Sequence, residues 1–188
     1  MNLSGVYFLE ANLAGVEFFE STFDKSVLEG VNISHAMLSG SSFVGVKLRG
    51  ANMEGVDAEG CNFESANLAI ANLRNADLTG TNFLMGMMDG ALLVNVKLND
   101  AILTHASLEK AVFVNSSISR SNFKGAKLYM ADFKQTYMTQ VDFTNSFLYG
   151  ADFTGAAVIK CKWAGARYDS STKLPLLTAA ELNSMIKD

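Results

Sequence analysis

A chain of 188 residues with a formal net charge of −4 and one proline, Pro175, amounts to a single domain. No apolar run reaches membrane-spanning length, which excludes a transmembrane helix. Glu10, Glu17 and Glu20 stand where a secretory signal needs a basic region and an apolar core, so the cytoplasm is the expected compartment.

From Met1 to Ser170 one five-residue frame repeats 34 times without insertion, most plainly at 66–80: Ala66-Asn67-Leu68-Ala69-Ile70, Ala71-Asn72-Leu73-Arg74-Asn75, Ala76-Asp77-Leu78-Thr79-Gly80. Slot 3 of the frame holds fourteen Leu, eleven Phe, three Met and two Ile, with Ala58, Val158, Trp163 and Tyr168 as the remainder. Slot 1 is mostly Ala, Val and Ser. None of the thirty charged residues before Ser171 falls in either slot, so both face inward. A period of five fits neither a helix nor a plain alternating strand and marks an internal repeat.

On an extended segment, slots 1 and 3 point to one face and slot 2 to the other. Slots 4 and 5 must then turn the chain. Fourteen of the fifteen glycines occupy slot 5, where a turn calls for positive φ. If four pentads close one coil, residues twenty apart stack. The first such column reads Leu3, Phe23, Phe43, Phe63, Phe83, Leu103, Phe123, Phe143, Trp163, and the second is led by Leu. Coils of three or five pentads scramble both columns.

The pattern A-(D/N)-L-x-x over residues 1–170 resembles the pentapeptide-repeat family. The resemblance implies an all-β solenoid, a right-handed quadrilateral parallel β-helix; the slot argument gives it about eight and a half coils and a height of roughly 40 Å. Residues 171–188 form a separate tail.

Along the chain, the first coil begins at residue 1 with Leu3, Phe8, Leu13 and Phe18 uncovered. Solenoids need caps, so this end is expected either to lack a natural preceding segment or to stack on a partner, as in an end-to-end homodimer. Ala58 is the one poor core choice, between Leu38 and Leu78. Cys61 and Cys161, both in slot 1 of the same column, lie roughly 24 Å apart, beyond disulfide reach, and read as buried reduced thiols. His35 and His105 are corner residues on different coils. No catalytic, cofactor-binding or metal-binding constellation is present, and no cofactor is expected.

Apolar residues reach outward slots in the middle repeats. Leu92, Val94, Val112 and Val114 fall on the third side, and Tyr129, Met130, Phe147 and Tyr149 on the second, forming a candidate interaction surface. Charge is uneven: twelve acidic against five basic residues give −7 over 1–100, and seven against ten give +3 over 101–188. Wrapped on four sides, Arg120, Lys124, Lys127 and Lys134 form a girdle rather than a patch, which argues against direct nucleic-acid binding. The acidic residues Glu17, Glu20, Asp57, Glu59, Asp77 and Asp100 gather on the fourth side, with Lys97 the only base read among them.

In the tail, Thr178 and Glu181 have the spacing of a capping box, and Leu182, Met185 and Ile186 make an apolar stripe at helical spacing. A short C-terminal helix covering the last coil is expected. A smooth rod offers no concave pocket, so an enzyme is not expected. Two readings remain. One is a non-enzymatic interaction or scaffold protein with an unidentified protein partner. The other, implied by the resemblance, is a DNA mimic that regulates or protects DNA gyrase or topoisomerase IV, as in quinolone-resistance proteins, through the acidic side.

Overall fold

A computed structural model describes residues 1–188. The chain forms four parallel ladders in which each slot-2 residue pairs with the one twenty positions on. The first ladder runs from Asn2 through Thr22 and Ser42 to Lys162, and the second from Tyr7 through Val27 to Arg167. The third runs from Asn12 to Asp152, and the fourth from Glu17 through Asp57, Asp77 and Lys97 to Ala157. Most rungs are single-residue bridges. The fourth ladder broadens into strands β1 (Ser117–Ser119), β2 (Tyr137–Thr139) and β3 (Ala157–Ile159), paired in parallel in that order. Of 130 backbone hydrogen bonds, 122 lie outside the regular helix and strands, so the ladders, rather than long strands, hold the chain together.

Each pentad is built the same way. The slot-3 N–H donates to the slot-2 carbonyl of the next coil, as from Phe63 to Asn82 at 2.7 Å. The slot-1 N–H closes the corner onto the slot-3 carbonyl, as from Ala71 to Leu68 at 3.0 Å. Every slot-5 residue from Gly5 to Gly165 has positive φ, glycine or not; Ile70 sits at 53° and His35 at 56°. The Asn or Asp of slot 2 has a reason to be there that the outward direction alone does not supply. Its Oδ1 accepts the slot-4 N–H two residues on, at 3.0 Å from Glu64 to Asn62 and 3.1 Å from Thr79 to Asp77, which fixes the approach to the corner.

Slots 1 and 3 form one continuous core. The phenylalanines stack with centroids 4.9 Å apart for Phe23–Phe43, 4.8 Å for Phe43–Phe63 and 5.2 Å for Phe63–Phe83. Offset stacking of this kind adds to the burial each ring already contributes. Slot-1 hydroxyls donate to slot-3 carbonyls, either of the preceding pentad, as from Thr81 to Leu78 at 2.6 Å, or of the coil before, as from Ser116 to Leu93 at 2.7 Å. Ala58 is fully buried, as its slot requires.

The ladders do not stop at Ser170. One extra residue is taken up in the turn around Asp169–Thr172, after which Lys173 pairs with Asp152 and Leu174 packs on the core. Strand β4 (Arg167–Tyr168) then pairs with β5 (Ile186–Lys187) from the tail. Between them lies helix α1 (Ala179–Ser184), with both halves of the Thr178–Glu181 capping box formed. The expected apolar stripe is divided. Met185 is buried, only 8 % exposed, but Leu182 and Ile186 are 41 % and 44 % exposed. The helix ends at Ser184, so Ile186 follows strand geometry and leaves the helical face. Leu174 and Leu177 of the tail are partly buried against the core.

Candidate interaction surfaces

The third ladder opens with an amide column. Asn32, Asn52 and Asn72 each donate from Nδ2 to the Oδ1 of the asparagine one coil earlier, at 3.0, 3.1 and 3.0 Å. At the fifth coil the column changes to Leu92, bridged to Val112, with Val94 and Val114 beside them in slot 4. All four are half-buried. A leucine or valine in slot 2 gives up both the amide bond between coils and the bond to the slot-4 N–H. The apolar square therefore forgoes hydrogen bonds that its neighbours make.

On the second ladder, Tyr129 stacks on Tyr149 at 5.6 Å, and Phe147 lies 6.1 Å from Tyr129. Met130 is exposed at 60 %. The sequence gives no sign that the tail reaches this cluster. The Tyr149 hydroxyl donates to the Asp188 carboxylate, which also lies 3.7 Å from Arg167, so the end of the tail is tied across the top of the aromatic stack. The Asp188 hydrogen bond and then burial hold the Tyr149 phenol above its ordinary range.

Lower on the second ladder, the surface departs from the expected smoothness. A shallow depression of about 360 Å³ is lined by Arg49, Ala69, Ile70, Asp89, Gly90 and Glu109. It forms because slot 4 holds only a methyl group at Ala69, between the longer side chains of neighbouring coils.

Glu17, Asp57 and Asp77 are rungs of the fourth ladder, with Asp57 bridged directly to Asp77. This ladder is not purely acidic. Lys97 Nζ lies 3.0 Å from Asp77, and Arg120 grips Asp100 with two bonds of 2.7 and 2.6 Å. Arg120 is thus a second base on this face and corrects the reading of Lys97 as the only one. Burial raises the Asp77 pKa, but the Thr79 and Lys97 bonds outweigh it and hold the carboxyl below its ordinary range. Arg120 does the same for Asp100. Glu17, Glu20 and Glu59 make no ion pair within the chain.

A family model described as pentapeptide repeats matches in eight copies, over residues 26–64, 48–83, 59–93, 91–128 and 121–157. The chain belongs to the pentapeptide repeat family. Among solved structures it is similar to HetL, a pentapeptide repeat protein involved in heterocyst differentiation regulation from the cyanobacterium Nostoc sp. strain PCC 7120. The identity there is 22 % over 88 % of each chain, with a TM-score of 0.33. A trypsin-treated form of QnrB1, a plasmid-mediated fluoroquinolone resistance protein, is 16 % identical over 98 % of this chain and 92 % of its own, with a TM-score of 0.41. A pentapeptide repeat protein from the Arabidopsis thaliana thylakoid lumen is 29 % identical over 57 % of this chain and 64 % of its own, with a TM-score of 0.30. No curated protein matches the chain in sequence.

Within the pentapeptide repeats, both thiols are sealed in slot 1. Burial pushes Cys61 up to about 12, and its Sγ lies 3.0 Å from the Leu38 carbonyl. Burial likewise raises Cys161. His35 and His105 are exposed corner residues whose rings lie over Gly55 and Gly125 of the next coil. No group of three or more His, Cys, Asp or Glu is disposed to hold a metal ion, and no helix is long and apolar enough to cross a membrane.

Proposed function

We propose that this pentapeptide repeat protein is a non-enzymatic scaffold of the cytoplasm, a right-handed quadrilateral rod of about eight and a half coils capped at its C-terminal end by the tail around α1. It binds a protein partner through the apolar residues of the third and second ladders. The observation that carries this reading is the break in the asparagine column at Leu92. Asn12 through Asn72 each contribute to the backbone corner or to the neighbouring coil, whereas Leu92 and Val112 contribute to neither and present apolar surface in adjacent rungs. A substitution that costs the fold hydrogen bonds and places apolar area outward is what a contact surface requires. Tyr129, Phe147 and Tyr149 extend it with aromatic area of the kind enriched at interfaces.

The test is affinity capture from the source cell with the wild type and with a Val94→Glu/Val114→Glu variant. The reading predicts a protein retained by the first and lost by the second, at unchanged thermal stability. An identical set of captured proteins contradicts it. The DNA-mimic reading has less support, because Lys97 and Arg120 neutralise the fourth ladder at its centre.

A further inference from the structure

The fourth ladder has eight rungs, from Glu17 to Ala157, and its outward residues are arranged so that the face complements its own reverse. We propose that two copies of this chain associate side by side and antiparallel through their fourth ladders. The two-fold axis lies along the strand direction between the Asp77 and Lys97 rungs. This proposal does not rest on the partner surface of the second and third ladders.

The axis exchanges the first rung with the eighth, the second with the seventh, and so on inward. At the centre, Asp77 comes opposite Lys97 of the second copy. At the ends, Glu20 comes opposite Lys160 of the second copy, and neither residue has an ion-pair partner within its own chain. Between the charges the apolar residues also match. Phe19 and Ile159, 49 % and 43 % exposed, exchange places, as do Met37 and Tyr137, at 36 % and 51 %. Asp57 and Glu59 meet Ser117 and Ser119. No charged residue of the face meets one of its own sign.

Other arrangements of the same face lose this match. A parallel pair, with the axis along the rod, sets Asp57 against Glu59 and leaves Glu20 far from Lys160. The antiparallel pair also brings the acidic half of each rod, residues 1–100, against the basic half of the other. The stacked carboxylates at Asp57 and Asp77, unfavourable within one chain, then face hydroxyls and a second lysine.

The size of the face sets the strength. Eight rungs at about 4.8 Å and about four residues of width at about 3.3 Å give roughly 500 Å² per copy. The total of about 1,000 Å² is at the lower end for specific association. The dimer is therefore reversible, with a micromolar dissociation constant, and sensitive to salt because its four cross-chain ion pairs are at the surface.

Sedimentation equilibrium of the full chain tests this. The wild type is expected to dimerise below about 100 µM, with the dissociation constant rising at least about tenfold between about 50 and about 500 mM salt. Glu20→Lys alone and Lys160→Glu alone each set like charges together and are expected to be monomeric. Mixed in equal amounts they restore opposite charges at both ends and are expected to recover the dimer. Both side chains are exposed, so each variant should keep the wild-type Tm, which separates lost association from lost folding. A wild type that stays monomeric overturns the proposal. So do single variants that still dimerise, or folded variants that fail to associate on mixing. Val94→Glu/Val114→Glu is expected to leave dimerisation unchanged, so self-association and partner capture fail independently.

Discussion

Gly55 and Gly60 occupy the same slot on neighbouring corners, and replacing each with alanine should have different consequences. Both have positive φ, +64° and +66°. An added Cβ at either therefore pays about 1 kcal/mol for the left-handed backbone. At Gly60 nothing lies within 4 Å of that Cβ, and the backbone term is the whole cost. At Gly55 the Cβ falls 2.5 Å from His35 Nδ1 and 2.7 Å from Cε1, so the ring must leave its position over the glycine. His35 is exposed and its ring is the far end of the side chain, which limits the penalty to that of a displaced rotamer, about 1 kcal/mol. Gly55→Ala should then cost about 2 kcal/mol against about 1 for Gly60→Ala. In thermal unfolding that is a loss of about 4–8 °C against about 2–4 °C for a domain of this size. Made in a His35→Ala background, Gly55→Ala should cost no more than Gly60→Ala, since only the shared backbone term survives. Equal costs in the wild-type background, or no relief on removing His35, would refute the stacking of corner on corner.

Three further outcomes follow from the core and the surface charges. Phe63→Ala removes a fully buried ring stacked on both sides and should cost about 3–5 kcal/mol by denaturant titration; a loss under about 1 kcal/mol would mean the column is not close-packed. Cys61 and Cys161 should resist thiol reagents in the native state and react together on unfolding, and rapid native labelling of both would place slot 1 at the surface. Burial raises the Asp152 pKa, but hydrogen bonds from Thr154 and Lys173 outweigh it, leaving the carboxyl well below its ordinary 3.8. Its contribution to stability is therefore complete above that value and lost as pH falls below it. Asp152→Asn should flatten the acid limb of the stability profile, and an unchanged limb would remove Asp152 from the account.

The sequence reveals the ladders because the core slots are chemically exclusive. A period carried by Phe and Leu at one position and small residues at another leaves one way to wrap the chain, and Phe23 through Phe83 stack accordingly. The surface is less legible. Asp100 and Arg120 are twenty residues apart and could have been paired from the register alone, yet as a charge list they read as parts of an acidic stripe and a basic girdle. The tail is least legible, because it leaves the period. One residue is added near Asp169, and the chain returns after α1 as β5, which takes Ile186 out of a helical stripe and brings Asp188 to Tyr149. Nothing in the spacing of Leu182, Met185 and Ile186 signals that the helix stops at Ser184.

The central claim is that residues twenty apart occupy successive rungs of one straight ladder. Distances between spin labels test it directly, since the two native thiols are buried and stay unlabelled. With one label at Thr22 and the other in turn at Asn122, Asp142 and Lys162, five, six and seven rungs away, the separations should be about 24, 29 and 34 Å. Constant steps of about 4.8 Å per twenty residues are the predicted result. Distances that fail to increase evenly along this series would contradict the register on which the fold, the contact surfaces and the proposed dimer all depend.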